Sequence, residues 1–162
     1  MQQPMIVHTT FTIDRRIAHP PKKVFGAFSS LEAKSKWFGA PVEWRLAERS
    51  LDFRVGGREV SCAGPSDDDL HRFDALYHDI VPDRRIIYSY EMHLGDVKIS
   101  VSLATFEFEP DGDGTHLRFT EQAVFLDGYD DAGSREHGTR WLIGKLADVL
   151  DGIAPSTTFD PH

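Results

Sequence analysis

Along most of this chain hydrophobic residues fall at every second position, and only a few stretches break into a helical spacing. Phe11, Ile13 and Ile17 alternate with Thr12, Asp14 and Arg16, the period of a half-buried strand. Arg15 occupies an apolar position in that phase, which asks for an ion partner or a place at a rim. Pro20 and Pro21 stop the strand and can open a short helix, because proline is tolerated in a first turn. Val24, Phe25 and Phe28 follow at helical spacing. Ser29 or Ser30 can cap a second short helix carrying Lys36 and Trp37, which Pro41 ends.

Short strands are predicted next at 42–46, 51–55 and 58–63, the last two joined by a Gly56-Gly57 hairpin. Beyond the acidic loop Asp67 to Asp69, strands are predicted over 72–80 and 85–93, turned at Pro82-Asp83. Phe73, Ala75 and Tyr77 share a face of the first; Ile86, Tyr88, Tyr90 and Met92 share a face of the second. A long strand over 97–109 changes phase, from Val97, Ile99, Val101 and Leu103 to Phe106 and Phe108, so a bulge is expected near Ala104. Asp111 to Gly114 turns into a strand over 115–124 with Leu117, Phe119 and Glu121 on one face. Ser134 is the expected N-cap of a last helix, whose stripe is Leu142, Ile143, Leu146, Val149, Leu150 and Ile153. Antiparallel strands with the helices gathered on one side make an α+β fold, here a curved sheet of about six or seven strands around a long C-terminal helix.

Composition changes this picture little. The 162 residues are 40% hydrophobic and 27% charged, which fits one domain, expected over 8–153 with a tail at 154–162. A net charge of −8 argues against nucleic-acid and anionic-membrane partners. No apolar run reaches the ~20 residues of a membrane span, and the first ten residues lack the pattern of a signal peptide. With the single Cys62, this makes the cytoplasm the expected location. His71, His78 and His93 lack ligand spacing, and Gln122 stands where a calcium loop opening at Asp111 needs glutamate, so no metal and no cofactor is expected.

Five segments in this order carry a family resemblance: "RRIAHPPKKVFGAFSSLEAKSKWF" from Arg15, "DFRVGGR" from Asp52, "IVPDRRIIYSYE" from Ile80, "DGDGTHLRFTEQ" from Asp111 and "REHGTRWLIGKLADVL" from Arg135. Together they resemble the SRPBCC superfamily of START-like and birch-pollen-allergen-like domains. Within it they resemble most the branch related to the activator of the heat-shock chaperone ATPase. The resemblance implies a helix-grip fold with an apolar cavity between sheet and helix. It does not imply one chemistry, because function lives in the site.

The residues point to such a cavity independently. Tyr77, Tyr88 and Tyr90 bring hydroxyls that need partners when buried. Gly138 and Gly144 inside the last helix each cost ~1 kcal/mol relative to alanine and leave room over the sheet. The expected ligand-binding set is Trp37, Phe53, Tyr77, Tyr88, Tyr90, Phe119, Glu121, Gly138, Trp141 and Leu142. Glu121 and His137 are the candidate proton-transfer groups should the cavity be catalytic. Binding of a small apolar or lipid-like molecule ranks first. A cyclase- or hydrolase-like enzyme ranks second. A regulator of a chaperone ATPase ranks third, and a homodimer stays open as a further association.

Overall fold

The alternating segments form seven strands: β1 (Ile6–Ile17), β2 (Arg45–Leu51), β3 (Arg58–Gly64), β4 (His71–Val81), β5 (Arg85–Leu94), β6 (Val97–Asp111) and β7 (Gly114–Leu126). The helical stretches form α1 (Pro21–Gly26), α2 (Leu31–Ser35) and α3 (Ala132–Leu150). These elements come from a computed structural model that describes residues 4–154. The tail expected at 154–162 therefore lies, apart from Ala154, outside the described residues.

All strand pairs are antiparallel, in the order β1-β7-β6-β5-β4-β3-β2. The β4 to β7 neighbours are sequential hairpins, and only β1 reaches across the chain to pair with β7. The curved sheet lies against α3, whose Ile143, Leu146 and Ala147 are buried. α1 and α2, after the first strand, close the other end with Val24, Phe25 and Lys34 buried. The fold is α+β, as the alternation required.

Four local expectations give way. First, the strands expected at 42–46 and 51–55 are one strand, β2, between them. Asp52 to Gly57 is instead a loop hung on β4, since Gly56 donates to the Tyr77 carbonyl and Tyr77 donates to that of Gly57. Both glycines are required there: Gly56 has φ +84, and a Cβ on Gly57 would sit 2.0 Å from the Asp52 carbonyl oxygen. Second, the bulge of β6 is not near Ala104. Met92 pairs with Ser100 and His93 with Lys98, leaving Ile99 as the extra residue. From Ser100 onward the even-numbered side chains point inward, so Val101 and Leu103 are exposed and Ala104, Phe106 and Phe108 are buried. Hydrophobicity alone misleads here because an outward valine or leucine is tolerated.

Third, α3 is capped by Asp131, whose carboxylate accepts from the backbone N–H of Ser134; Ser134 is not itself the cap. Fourth, Gly144 does not open onto the cavity. A Cβ there would meet the Arg15 guanidinium at 3.9 Å, so the side chain of Arg15, exposed on β1, lies along the helix.

Candidate functional site

The buried aromatic residues divide the interior into a filled end and an open end. At the filled end Phe28 meets Phe106, Phe108 and Trp37 edge-on at ring-centroid separations of 4.8, 5.3 and 4.9 Å. Trp37 donates its indole N–H to the Ala27 carbonyl at 2.9 Å, which joins α1 to the chain after α2. At the open end a cavity of about 390 Å³ lies between the sheet and α3. Its sheet wall is Phe73, Tyr88, Tyr90, Phe106 and Phe119, inward residues of β4 to β7. Its helix wall is Gly138, Trp141 and Leu142, and its third side is the segment Phe38 to Trp44. A Cβ on Gly138 would meet no atom within 4 Å, so the helix leaves open space at that position.

Two buried polar clusters flank the cavity. In the first, Lys34 and Glu59 are ion-paired at 2.6 Å, and Tyr77 donates to the same Glu59 oxygen at 2.6 Å. The Lys34 ammonium also lies 4.4 Å from the Phe38 ring centroid. Burial pulls the Lys34 pKa down, against the attraction of Glu59, while burial and then the Glu59 charge push the Tyr77 phenol far up. In the second cluster, Glu121 accepts from the Tyr90 hydroxyl at 2.8 Å, from Ser102 at 2.7 Å and from Arg135 at 3.1 Å. Arg135 donates further to Ser100 and Asp130. Burial works against the Arg135 charge, but Tyr90, Glu121 and Asp130 outweigh it and hold its pKa above the ordinary value. Such clusters are stable because each charge has its counter-ion and hydrogen bonds.

At the cavity mouth Trp44 packs on His71 with the rings tilted by 40° and their centroids 4.6 Å apart, and the Lys145 ammonium sits 4.1 Å from the Trp141 ring centroid. Arg49 donates to the Phe38 carbonyl and ties β2 to that rim.

Of the residues expected in the site, the cavity brings together Trp37, Tyr88, Tyr90, Phe119, Glu121, Gly138, Trp141 and Leu142. Two of the expected residues lie elsewhere. Tyr77 turns its hydroxyl to Glu59, and Phe53, in the loop before β3, packs on Phe25 and Tyr77 at the filled end. His137 is not part of the cavity lining, so the two candidate proton-transfer groups do not share it. Among the described residues no group of three His, Cys, Asp or Glu is placed to hold a metal, and no helix is long and apolar enough to cross a membrane.

The family model described as Activator of Hsp90 ATPase homolog 1-like protein matches residues 18–151. The chain belongs to this family. Among solved structures, an uncharacterised protein from Rhizobium leguminosarum is 45% identical, with a TM-score of 0.87 over 93% of this chain and 99% of that one. The Mll3558 protein from Rhizobium loti is 46% identical, with a TM-score of 0.82 over 88% of this chain and 97% of that one. Protein CV1439 from Chromobacterium violaceum, at 23% identity and a TM-score of 0.72 over 88% and 96% of the two chains, shares the fold. No curated protein matches the chain.

For this member of the family, sequence reasoning missed Lys34 and Glu59. In β3 it is Ser61 and Ala63 that line the cavity, and Glu59 shares their phase, although Val60 and Cys62 on the other face are the bulkier apolar residues. The charge signal was available: a lysine placed three residues before Trp37 and four before Phe38 on an apolar helix face needs a carboxylate.

Proposed function

We propose that the protein binds one small, predominantly apolar molecule in the cavity between the sheet and α3. The single observation that carries this reading is the cavity itself: about 390 Å³ walled by aromatic rings, in a chain that fills its other end solidly. That volume lies in the range of small-molecule sites, which are apolar with a few convergent polar groups. A protein with no use for the space would close it, since unfilled core volume is destabilising. Binding is favoured over catalysis because the Glu121 carboxylate is taken up by Tyr90, Ser102 and Arg135, and His137 stands outside the lining.

Titration with the neutral fluorescent probe N-phenylnaphthylamine tests the reading. Stoichiometric, saturable binding is expected, and Gly138→Leu should abolish it with the circular dichroism spectrum unchanged. A wild type that binds no apolar probe would refute the binding function.

A further inference from the structure

Among the described residues, the cavity wall carries a buried tyrosine hydroxyl that makes no hydrogen bond with the protein. Tyr88 is 5% exposed and lies on the sheet side of the cavity. On either side of it Tyr77 and Tyr90 donate to the buried carboxylates of Glu59 and Glu121. Among the described residues the Tyr88 hydroxyl has no hydrogen-bond partner. Nor is its oxygen sealed within protein atoms; it opens on the cavity. Its ring contacts, with Phe73, Tyr77, Tyr90 and Phe106, would be made equally well by phenylalanine. The hydroxyl therefore adds nothing to packing, and the protein itself leaves this buried polar group short of a bond.

We propose that the Tyr88 hydroxyl is the polar anchor of the cavity and donates a hydrogen bond to a carbonyl oxygen of an uncharged, ring-containing ligand. This rests on the binding reading above and specifies its ligand. The hydroxyl is a donor because Glu59 and Glu121 flank it. Burial first, then Tyr90, Tyr77 and these two carboxylates, raise its pKa well above the ordinary value, so the O–H stays intact. Glu59 and Glu121 take their hydrogen bonds from Lys34, Tyr77, Tyr90, Ser102 and Arg135 and none from Tyr88; the missing partner is a further acceptor. The ligand is uncharged because the two lysine or arginine side chains that line the cavity are committed, Lys34 to Glu59 and Arg135 to Glu121 and Asp130. Among the described residues that line the cavity no other lysine or arginine remains to neutralise an anion; Lys145 and Arg49 stand outside that lining. The ligand carries rings because the walls are ring faces and edges.

Fluorene and fluorenone share one tricyclic skeleton and differ by a single carbonyl. Displacement of N-phenylnaphthylamine by each, on the wild type and on Tyr88→Phe, tests the inference. The wild type should bind fluorenone about tenfold more tightly than fluorene, the worth of a hydrogen bond that also satisfies a buried group. Tyr88→Phe should lose or invert that preference while its fluorene affinity stays within about twofold. Equal affinities on the wild type, or a preference that survives in Tyr88→Phe, would overturn the anchor and leave the binding function standing. If neither compound displaces the probe and the probe itself does not bind, the binding function falls and the anchor with it. Fluorene carboxylate binding more tightly than fluorenone would overturn the uncharged ligand. Urea unfolding supplies a readout without ligand. Tyr88→Phe should be as stable as the wild type or more so, whereas Tyr90→Phe, which strips a bond from Glu121, should be less stable. A loss in Tyr88→Phe as large as that in Tyr90→Phe would place the hydroxyl in a protein bond and overturn the proposal.

Discussion

Glu59 takes hydrogen bonds from Lys34 and Tyr77 on one oxygen, in a region where Lys34 is 3% exposed. Removing one partner of such a pair strands the other charge. Glu59→Gln should therefore destabilise the fold by about 3 kcal/mol or more in urea unfolding, whereas the double change Lys34→Met with Glu59→Leu should recover most of that loss. A single variant as stable as the wild type would show that the pair is not isolated from water. His71 offers a pH test. Burial lowers its pKa below 6.5, and Asp69 and Asp130 pull it partly back. A lowered folded-state pKa means that below pH 6.5 the unfolded chain binds more protons, so stability falls as pH drops through this window. The ring is half-buried, and solvent keeps the effect to less than about 1 kcal/mol. His71→Asn should flatten the stability profile below pH 6.5; parallel profiles would contradict the assignment.

At the scale of elements, β6 and α3 make claims that their hydrophobicity would not suggest. Leu103 points outward and Ala104 inward, opposite Tyr88 on β5 and Glu121 on β7. Leu103→Thr should change stability by no more than about 0.5 kcal/mol. Ala104→Leu should destabilise by about 1–3 kcal/mol, because Ala104 is wholly buried and the added carbons have nowhere to go. The reverse order would restore the bulge to Ala104. In α3 the cap is Asp131, so Asp131→Ala should lower the unfolding free energy by about 1 kcal/mol and Ser134→Ala by a few tenths. Equal losses would leave the capping residue unassigned.

For the whole molecule, cavity and stability pull in opposite directions. Gly138 lies in the middle of α3 over open space. A leucine there gains helix propensity of about 1 kcal/mol and buries apolar surface in the cavity. Gly138→Leu should therefore melt at a higher temperature than the wild type while losing the probe. That is the expected trade between a stable core and a usable one. A lower melting temperature would mean that the helix has no room to give.

The alternation of hydrophobic residues was enough to place the strands of the C-terminal half, because turn residues such as Pro82-Asp83 and Gly112 punctuate it locally. The helical stripe of α3 and the inward phase of Leu117, Phe119 and Glu121 were legible for the same reason: a period is a local property. What was not local was not legible. The Ile99 bulge is set by the register of β5 against β6, and the Asp52–Gly57 loop by the backbone of Tyr77 on a different strand. The partners of Glu121 were only partly visible: Tyr90 was expected beside it in the site, but Ser102 faces inward only because of that bulge. Lys34 and Glu59 are 25 residues apart, and nothing in either segment names the other. The three tyrosines read alike as sequence. Only the tertiary structure separates them, handing Tyr77 and Tyr90 a carboxylate each and leaving Tyr88 facing the cavity, because a hydroxyl's partner is fixed by what folds against it.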